Sequence, residues 1–235
     1  MYLAFDTETT GINFNKNNLL TVCFIITDDN LIEIDRLNLS LKHYNYNVSI
    51  KAMEINKIDL IKHHYGAVDL KSARNSLLDF LKKHKNKMMN YDSHSSESSM
   101  YNKTFTPVGH NVTFDINFIK NSGLLTENEY MSFINFNNLD TICIAQYLKL
   151  TGHLPKNQSI SLINLCKYYG ITIDKNKSGS RVSSGLQTTG STGSYHTAEY
   201  DIEMTLQLLR KFKSINEKLI DANISNKKRK KDEMN

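Results

Sequence analysis

Two carboxylates one residue apart stand near the start of the chain, in Asp6-Thr7-Glu8-Thr9-Thr10-Gly11. The run before them, Met1-Tyr2-Leu3-Ala4-Phe5, reads as a short buried strand. Side chains alternate between the faces of a strand, so Asp6 and Glu8 point one way and Thr7 the other. Two carboxylates on one face repel unless a cation sits between them, and hard oxygen ligands suit magnesium or manganese. A lone Asp-x-Glu is ordinarily a polar strand end turning at a glycine, so its company decides.

Two later stretches supply that company. Val108-Gly109-His110-Asn111-Val112-Thr113-Phe114-Asp115 hands a strand end to a helix and places Asp115 in the first helical turn. An aspartate there also offsets the helix dipole, which is its commoner role. Tyr195-His196-Thr197-Ala198-Glu199-Tyr200-Asp201 puts a histidine just ahead of a helix and an aspartate inside it, both able to face one cleft. Following a loop rich in Gly, Ser and Thr, His196 can swing in as a general base. Leu139-Asp140-Thr141 and Ser161 to Cys166 read as scaffolding, with Asp140 as a supporting group.

The elements that must position these residues follow from pattern. Residues 19–27 read as a second strand, 28–30 as a hairpin turn and 31–39 as an alternating third strand. Residues 49–63 form short helical pieces. Residues 70–84 place Leu70, Ala73, Leu77, Leu78, Phe80 and Leu81 on one helical face. A polar insertion at 85–103, low in complexity around its serines, is predicted to be flexible. A short strand at 105–109 and a helix at 113–121 come next, then helices at 139–150 and 161–169. A mobile loop at 175–194 precedes a final helix over 197–218, with apolar residues at Ala198, Ile202, Leu208, Leu209 and Phe212. Gln207 to Phe212 superficially resembles a sliding-clamp peptide, but its apolar residues fit the core face of that helix. Three leading strands followed by helix, strand and helices predict an α/β domain, a mixed sheet flanked by helices, over 1–219. Residues 220–235 are predicted to be a basic, disordered tail.

Composition bounds the rest. At 235 residues and 40% apolar content the chain is long enough for one proper core. Cys23, Cys143 and Cys166 are scattered through apolar runs and read as reduced core thiols, which predicts an intracellular, cytoplasmic protein. No signal peptide or membrane span is evident, so no membrane partner is expected. The formal charge is +5, and Lys227-Lys228-Arg229-Lys230-Lys231 alone carries five positive charges. That run is readable as a solvated terminus, a phosphate-contacting arm or, in a eukaryotic host, a nuclear-import signal; the reading favoured is a disordered tail with weak nucleic-acid attraction. His43, His63, His64, His84, His94 and His153 lack ligand spacing, are predicted at the surface, and give no zinc site.

Taken in order, Asp-x-Glu-Thr-Thr-Gly, His-Asn-x-x-Phe-Asp, Leu-Asp-Thr and His-x-Ala-x-x-Asp resemble the DEDD 3′–5′ exonucleases of the histidine branch over roughly residues 1–213. The likeness is greatest to the proofreading epsilon-type subunits of bacterial DNA polymerase III. The tyrosine branch would need Tyr where Thr197 stands. The resemblance implies an RNase H-like sheet and a site with two Mg²⁺ or Mn²⁺ ions held by Asp6, Glu8, Asp115 and Asp201, about 4 Å apart across the scissile phosphate. It implies that Asp6 bridges both ions, that Glu8 and Asp201 serve the water side, and that Asp115 serves the other ion, partly through water. His196 would take the proton from the attacking water, and the products would be 5′ nucleoside monophosphates. It further implies that Thr9, Thr10, Gly11, Ile12, Asn56 and Asn111 bind substrate, with Ile12 wedged beside the last base and Asn56 near its sugar. The implied partners are single-stranded or frayed 3′ ends of DNA, or RNA, and a DNA polymerase. Two alternatives stand beside the DNA exonuclease: an RNA-trimming 3′–5′ exoribonuclease, and a catalytically silent polymerase-accessory subunit that binds nucleic acid. A silent module would be expected to lose metal ligands or His196 first, and here all are present.

Overall fold

Alternation in the leading segments is realised as a five-stranded mixed sheet in the order β3-β2-β1-β4-β5. The computed structural model describes residues 1–91, 104–172 and 197–232. Strands β1 (Tyr2–Thr9), β2 (Leu19–Thr27) and β3 (Glu33–Ser40) form an antiparallel meander. Strands β4 (Thr106–Gly109) and β5 (Leu139–Asp140) add to the other side of β1 in parallel. The parallel strands need crossovers, which the helices provide.

Each sheet face buries its own core. Leu3 and Phe5 of β1 join Val22, Phe24 and Ile26 beneath α3 (Leu70–Tyr91), α4 (Val112–Asn121) and α5 (Glu127–Phe133). Ala4 faces the other way, with Cys23 and Ile25, under α6 (Thr141–Leu150), α7 (Leu162–Tyr168) and α8 (Ala198–Asp232). Asp6 and Glu8 continue the Ala4 side of β1 and Thr7 the Phe5 side, as alternation requires. The short helices α1 (Ile50–Asn56) and α2 (Leu60–Gly66) lie between β3 and α3.

Several expected boundaries move. Helix α3 runs on to Tyr91, past the expected start of the insertion, because nothing in residues 85–91 breaks a helix; residues 92–103 lie outside the described residues. The expected helix over 139–150 opens as β5, and Asp140 caps α6 by accepting from the Ile142 backbone N–H at 2.8 Å. Helix α5 was not expected, although Thr126 and Glu129 form a capping box at its start. Helix α8 continues through the basic run to Asp232, beyond the expected end at 218 and into the expected tail; it holds neither Gly nor Pro. The expected loop at 175–194 lies outside the described residues.

Three side-chain expectations are corrected. Cys143 is exposed, so it is not a core thiol. His84 is buried, with Nε2 2.8 Å from Asp35 Oδ2. His43, His63 and His64, expected at the surface, are half-buried in edge contacts around the Tyr46 ring; spacing in sequence gives no sign of such a cluster. The apolar face expected of the last helix is buried throughout, from Ala198 to Phe212.

Candidate active site

The site grows from the way β1 outruns β4. Their pairing ends at Ala4 opposite Val108, so Asp6 and Glu8 lie beyond the end of β4, at the carboxyl end of the parallel strands. Ligand sites of open α/β sheets gather at that end. On the other edge β1 stays paired, Asp6 opposite Cys23 and Glu8 opposite Thr21, and the register slips between Glu8 and Thr9. Such irregularities re-aim the chain at functional edges.

Asp201 reaches this strand end from the opposite side. It sits in the first turn of α8, whose backbone is started by Thr197: the Thr197 hydroxyl accepts from the Tyr200 N–H at 3.2 Å. Carboxylate oxygens of Asp6, Glu8 and Asp201 lie within 4.8 Å of one another. Among the described residues, no other trio of His, Cys, Asp or Glu converges as closely.

Asp115 approaches from α4, over the other face. Its carboxylate accepts from the Thr7 hydroxyl at 2.6 Å and is 3% exposed. The approach depends on the turn between β4 and α4. A Cβ on Gly109 would stand 2.8 Å from Val112 and 3.3 Å from the Phe5 carbonyl oxygen, so only glycine lets α4 start this close to β1. Asn111 takes a left-handed conformation at φ 63°, and Asp140 accepts from the N–H groups of Asn111 and Val112, both at 3.0 Å. Asp140 thereby ties the β4–α4 turn to the start of α6. His110 Nδ1 is 2.7 Å from the Thr141 hydroxyl.

The electrostatics match a site built for a counter-charge. Burial, then the carboxylates of Asp115, Asp201 and Glu8, push the Asp6 pKa well above the ordinary range. Glu8 is raised to about 8 by burial and by Asp201 and Asp115. Asp115 is raised to about 7, burial outweighing the hydrogen bonds that Thr7 donates. Burial and neighbouring carboxylates thus disfavour the ionised forms of Asp6, Glu8 and Asp115, a cost that a divalent cation among hard oxygen donors would reverse.

The expected substrate contacts fall into two groups. Ile12 is 85% exposed just past β1, and Asn111 is exposed at the head of α4. Thr9, Thr10, Gly11 and Asn56 are buried and make internal contacts. Thr10 Oγ1 donates to the Asn47 carbonyl at 2.6 Å, and Asn56 Nδ2 donates to the Thr9 carbonyl at 3.0 Å. At Gly11 the close neighbour is the Asn17 amide, whose Cγ would lie 2.4 Å from a Cβ. His196 lies outside the described residues. Sequence reasoning missed Thr7, the donor to Asp115; alternation put it on the far face of β1, which is where α4 packs.

The sheet and its helices form an RNase H-like mixed α/β fold. E. coli exonuclease I in complex with a dT13 oligonucleotide superposes with a TM-score of 0.63 at 15% identity, covering 94% of this chain and 42% of that one. Exonuclease X in complex with 5′ overhanging duplex DNA gives 0.51 at 16% identity, covering 92% of each chain. Exonuclease I from Methylocaldum szegediense gives 0.52 at 15% identity, covering 89% of this chain and 39% of that one. The chain thus spans less than half the length of these exonuclease I chains. No protein-family model and no curated protein matches the sequence. The structural neighbours are exonucleases, and at these identities the likeness is one of fold.

Proposed function

We propose that the protein is a cation-dependent 3′–5′ exonuclease that releases 5′ nucleoside monophosphates from single-stranded or frayed DNA ends, in proofreading or repair. The observation that carries this reading is the convergence of Asp6, Glu8 and Asp201 at the strand end, with Asp115 locked behind them by Thr7. The donor set fits magnesium or manganese, because it is all oxygen and gathers several carboxylates at one point. Two divalent cations, when bound, would neutralise the scissile phosphate and acidify a water. Asp6, Glu8, Asp115 and Asp201 would hold them. His196 would accept the proton of the attacking water, since an ordinary imidazole titrates near neutrality. The exposed Ile12 would lie against the terminal base, and Asn111 would face the strand from the head of α4. The buried Thr9, Thr10, Gly11 and Asn56 would support that contact by holding the end of β1 rigid. A proofreading role would bring in a polymerase as partner.

A gel assay with 5′-labelled single-stranded DNA and matched RNA, in magnesium, manganese and chelator, tests the proposal. A ladder shortening from the 3′ end and absent in chelator supports it, and the faster substrate separates DNA from RNA trimming. Binding without cleavage would favour the silent accessory subunit. His196→Ala is expected to slow cleavage on the order of 10²–10⁴-fold, the range of general base catalysis.

A further inference from the structure

Charge on the sheet face that carries Asp6 and Glu8 continues outward to β3. Arg36 stands two strands from Asp6 and reaches toward α8, with its side chain 18% exposed. Its guanidinium gathers three carboxylates: Glu33 at 2.7 Å, Glu199 at 2.7 Å and Glu203 at 2.8 Å. Asn38, also on β3, adds an amide 3.3 Å from Glu199 Oε1.

We propose that Arg36 is the positioning residue of the cation site, acting through Glu199 and Glu203 on Asp201; this rests on the reading of Asp6, Glu8 and Asp201 as cation ligands. Glu199 and Glu203 are one turn apart on one side of α8, and Asp201 lies between them on the other. Apolar packing through Ile202, Leu208 and Leu209 holds the body of α8, but apolar contacts are not directional. Guanidinium–carboxylate bonds are directional, and two of them one turn apart fix both the axial position and the rotation of the helix. The rotation matters because Asp201 projects from the opposite side. A turn of ~20° moves an atom at the ~6 Å outer radius of a helix by about 2 Å. Metal–ligand distances tolerate about 0.2 Å.

Charge alone predicts the opposite outcome. Removing Arg36 deletes a nearby positive charge and frees three carboxylates, which would tighten cation binding. Weaker binding is therefore the signature of positioning. Mn²⁺ binding is measured by calorimetry on the wild-type chain and on Arg36→Gln, Arg36→Lys, Arg74→Gln and Asp6→Asn. Arg36→Gln is expected to bind Mn²⁺ about 10- to 100-fold more weakly, the range seen when a partner of a ligand is removed. Arg36→Lys keeps the charge but loses the fork, so it too is expected to weaken binding, and it carries the test should Arg36→Gln fail to fold. Arg74→Gln breaks a comparable pair, Arg74 with Glu129 at 2.5 Å, away from the site and is expected to leave affinity unchanged. Unchanged or tighter binding in Arg36→Gln, or unchanged binding in Arg36→Lys, overturns the proposal. A wild-type chain that binds no Mn²⁺, or an Asp6→Asn variant that binds it as well, instead brings down the cation reading and this proposal with it.

Discussion

Two acidic regions of this molecule treat their carboxylates in opposite ways. At Asp35, on β3, burial raises the pKa, but the hydrogen bonds from Lys83 at 2.7 Å and His84 at 2.8 Å outweigh it and hold the group down at about 2. At the end of β1, burial and the Asp201 and Asp115 carboxylates drive Glu8 up to about 8, and burial raises Asp115 to about 7 against the hydrogen bonds from Thr7. The first arrangement supplies its own partners from the chain, the Lys83 ammonium and the His84 ring, and gains stability from them. The second crowds carboxylates together, and among the described residues no Lys or Arg pairs with Asp6, Glu8 or Asp115. Raised carboxylates that crowd together in a cleft mark function, whereas a depressed one with a lysine beside it marks structure.

The sharpest way to break the contrast is Asp6→Asn. It removes one of four mutually repelling carboxylates at nearly constant volume. Hydrolysis and the thermal response to Mg²⁺ are both expected to vanish, while the chelator-treated protein melts higher than wild type at pH 8. Full nuclease activity in this variant would refute the site.

A second expectation follows from linkage. Glu8 and Asp115 keep protons in the folded state that an unfolded chain would lose near pH 4. Their contribution to stability is thus complete below about pH 4 and is lost as pH rises through about 7 to 8. In chelator, the melting temperature is expected to fall between pH 5 and pH 8.5 as these groups ionise unpaired. Magnesium binds the ionised set, so its stabilisation should be larger at pH 8 than at pH 5. Equal shifts at both pH values would mean that the cation does not bind these carboxylates.

Thr7→Val tests the support behind the cluster. It keeps the shape of the side chain and deletes the 2.6 Å hydroxyl donor to Asp115. A loss of about 1 kcal/mol is expected from the lost hydrogen bond to a buried acceptor, together with a rate loss of about ten-fold or more from a loosened ligand. Denaturant melts and single-turnover rates measure the two. A stability loss with no change in rate would make Thr7 purely architectural.

How much of this was legible beforehand depended on whether the signal was local. Asp6 and Glu8 were assigned to one face by period-two alternation alone, and the alternation of Leu3, Ala4 and Phe5 between two cores agrees. The amphipathic face of α8 was equally plain from Ala198 to Phe212. The meeting of Asp201 with Asp6 and Glu8 is a contact across nearly the whole chain, and ordered motifs suggested it where spacing by itself carries no such information. Arg36 carried no local sign of a role near the site, because its partners Glu199 and Glu203 arrive from another element. His84 was misplaced for the same reason: a histidine in a lysine-rich helix end looks solvent-facing until β3 brings Asp35 beneath it. Helix α5 is different, since Thr126 and Glu129 spelled out its capping box within four residues.

Asp35→Asn is the mildest test and sharpens the contrast from its structural side. A carboxylate held at about 2 contributes stability that is present above its unfolded pKa near 4 and is lost as pH falls toward 2. The variant lacks that ionisation, so its disadvantage against wild type should be constant above about pH 5 and shrink as pH falls through 4 toward 2. Lys83 is exposed enough for water to replace its partner, which keeps the neutral-pH loss small. His84 is buried and loses the carboxylate against its Nε2, so most of the loss should appear there. Nuclease rate and Mg²⁺ stabilisation should match wild type, because Asp35 is paired within the chain and none of the carboxylates at the end of β1 leans on it. Melting curves from pH 3 to pH 7, with and without magnesium, separate these effects. A change in the magnesium response would show that the two acidic regions are coupled, and the division between structural and functional carboxylates would then fail.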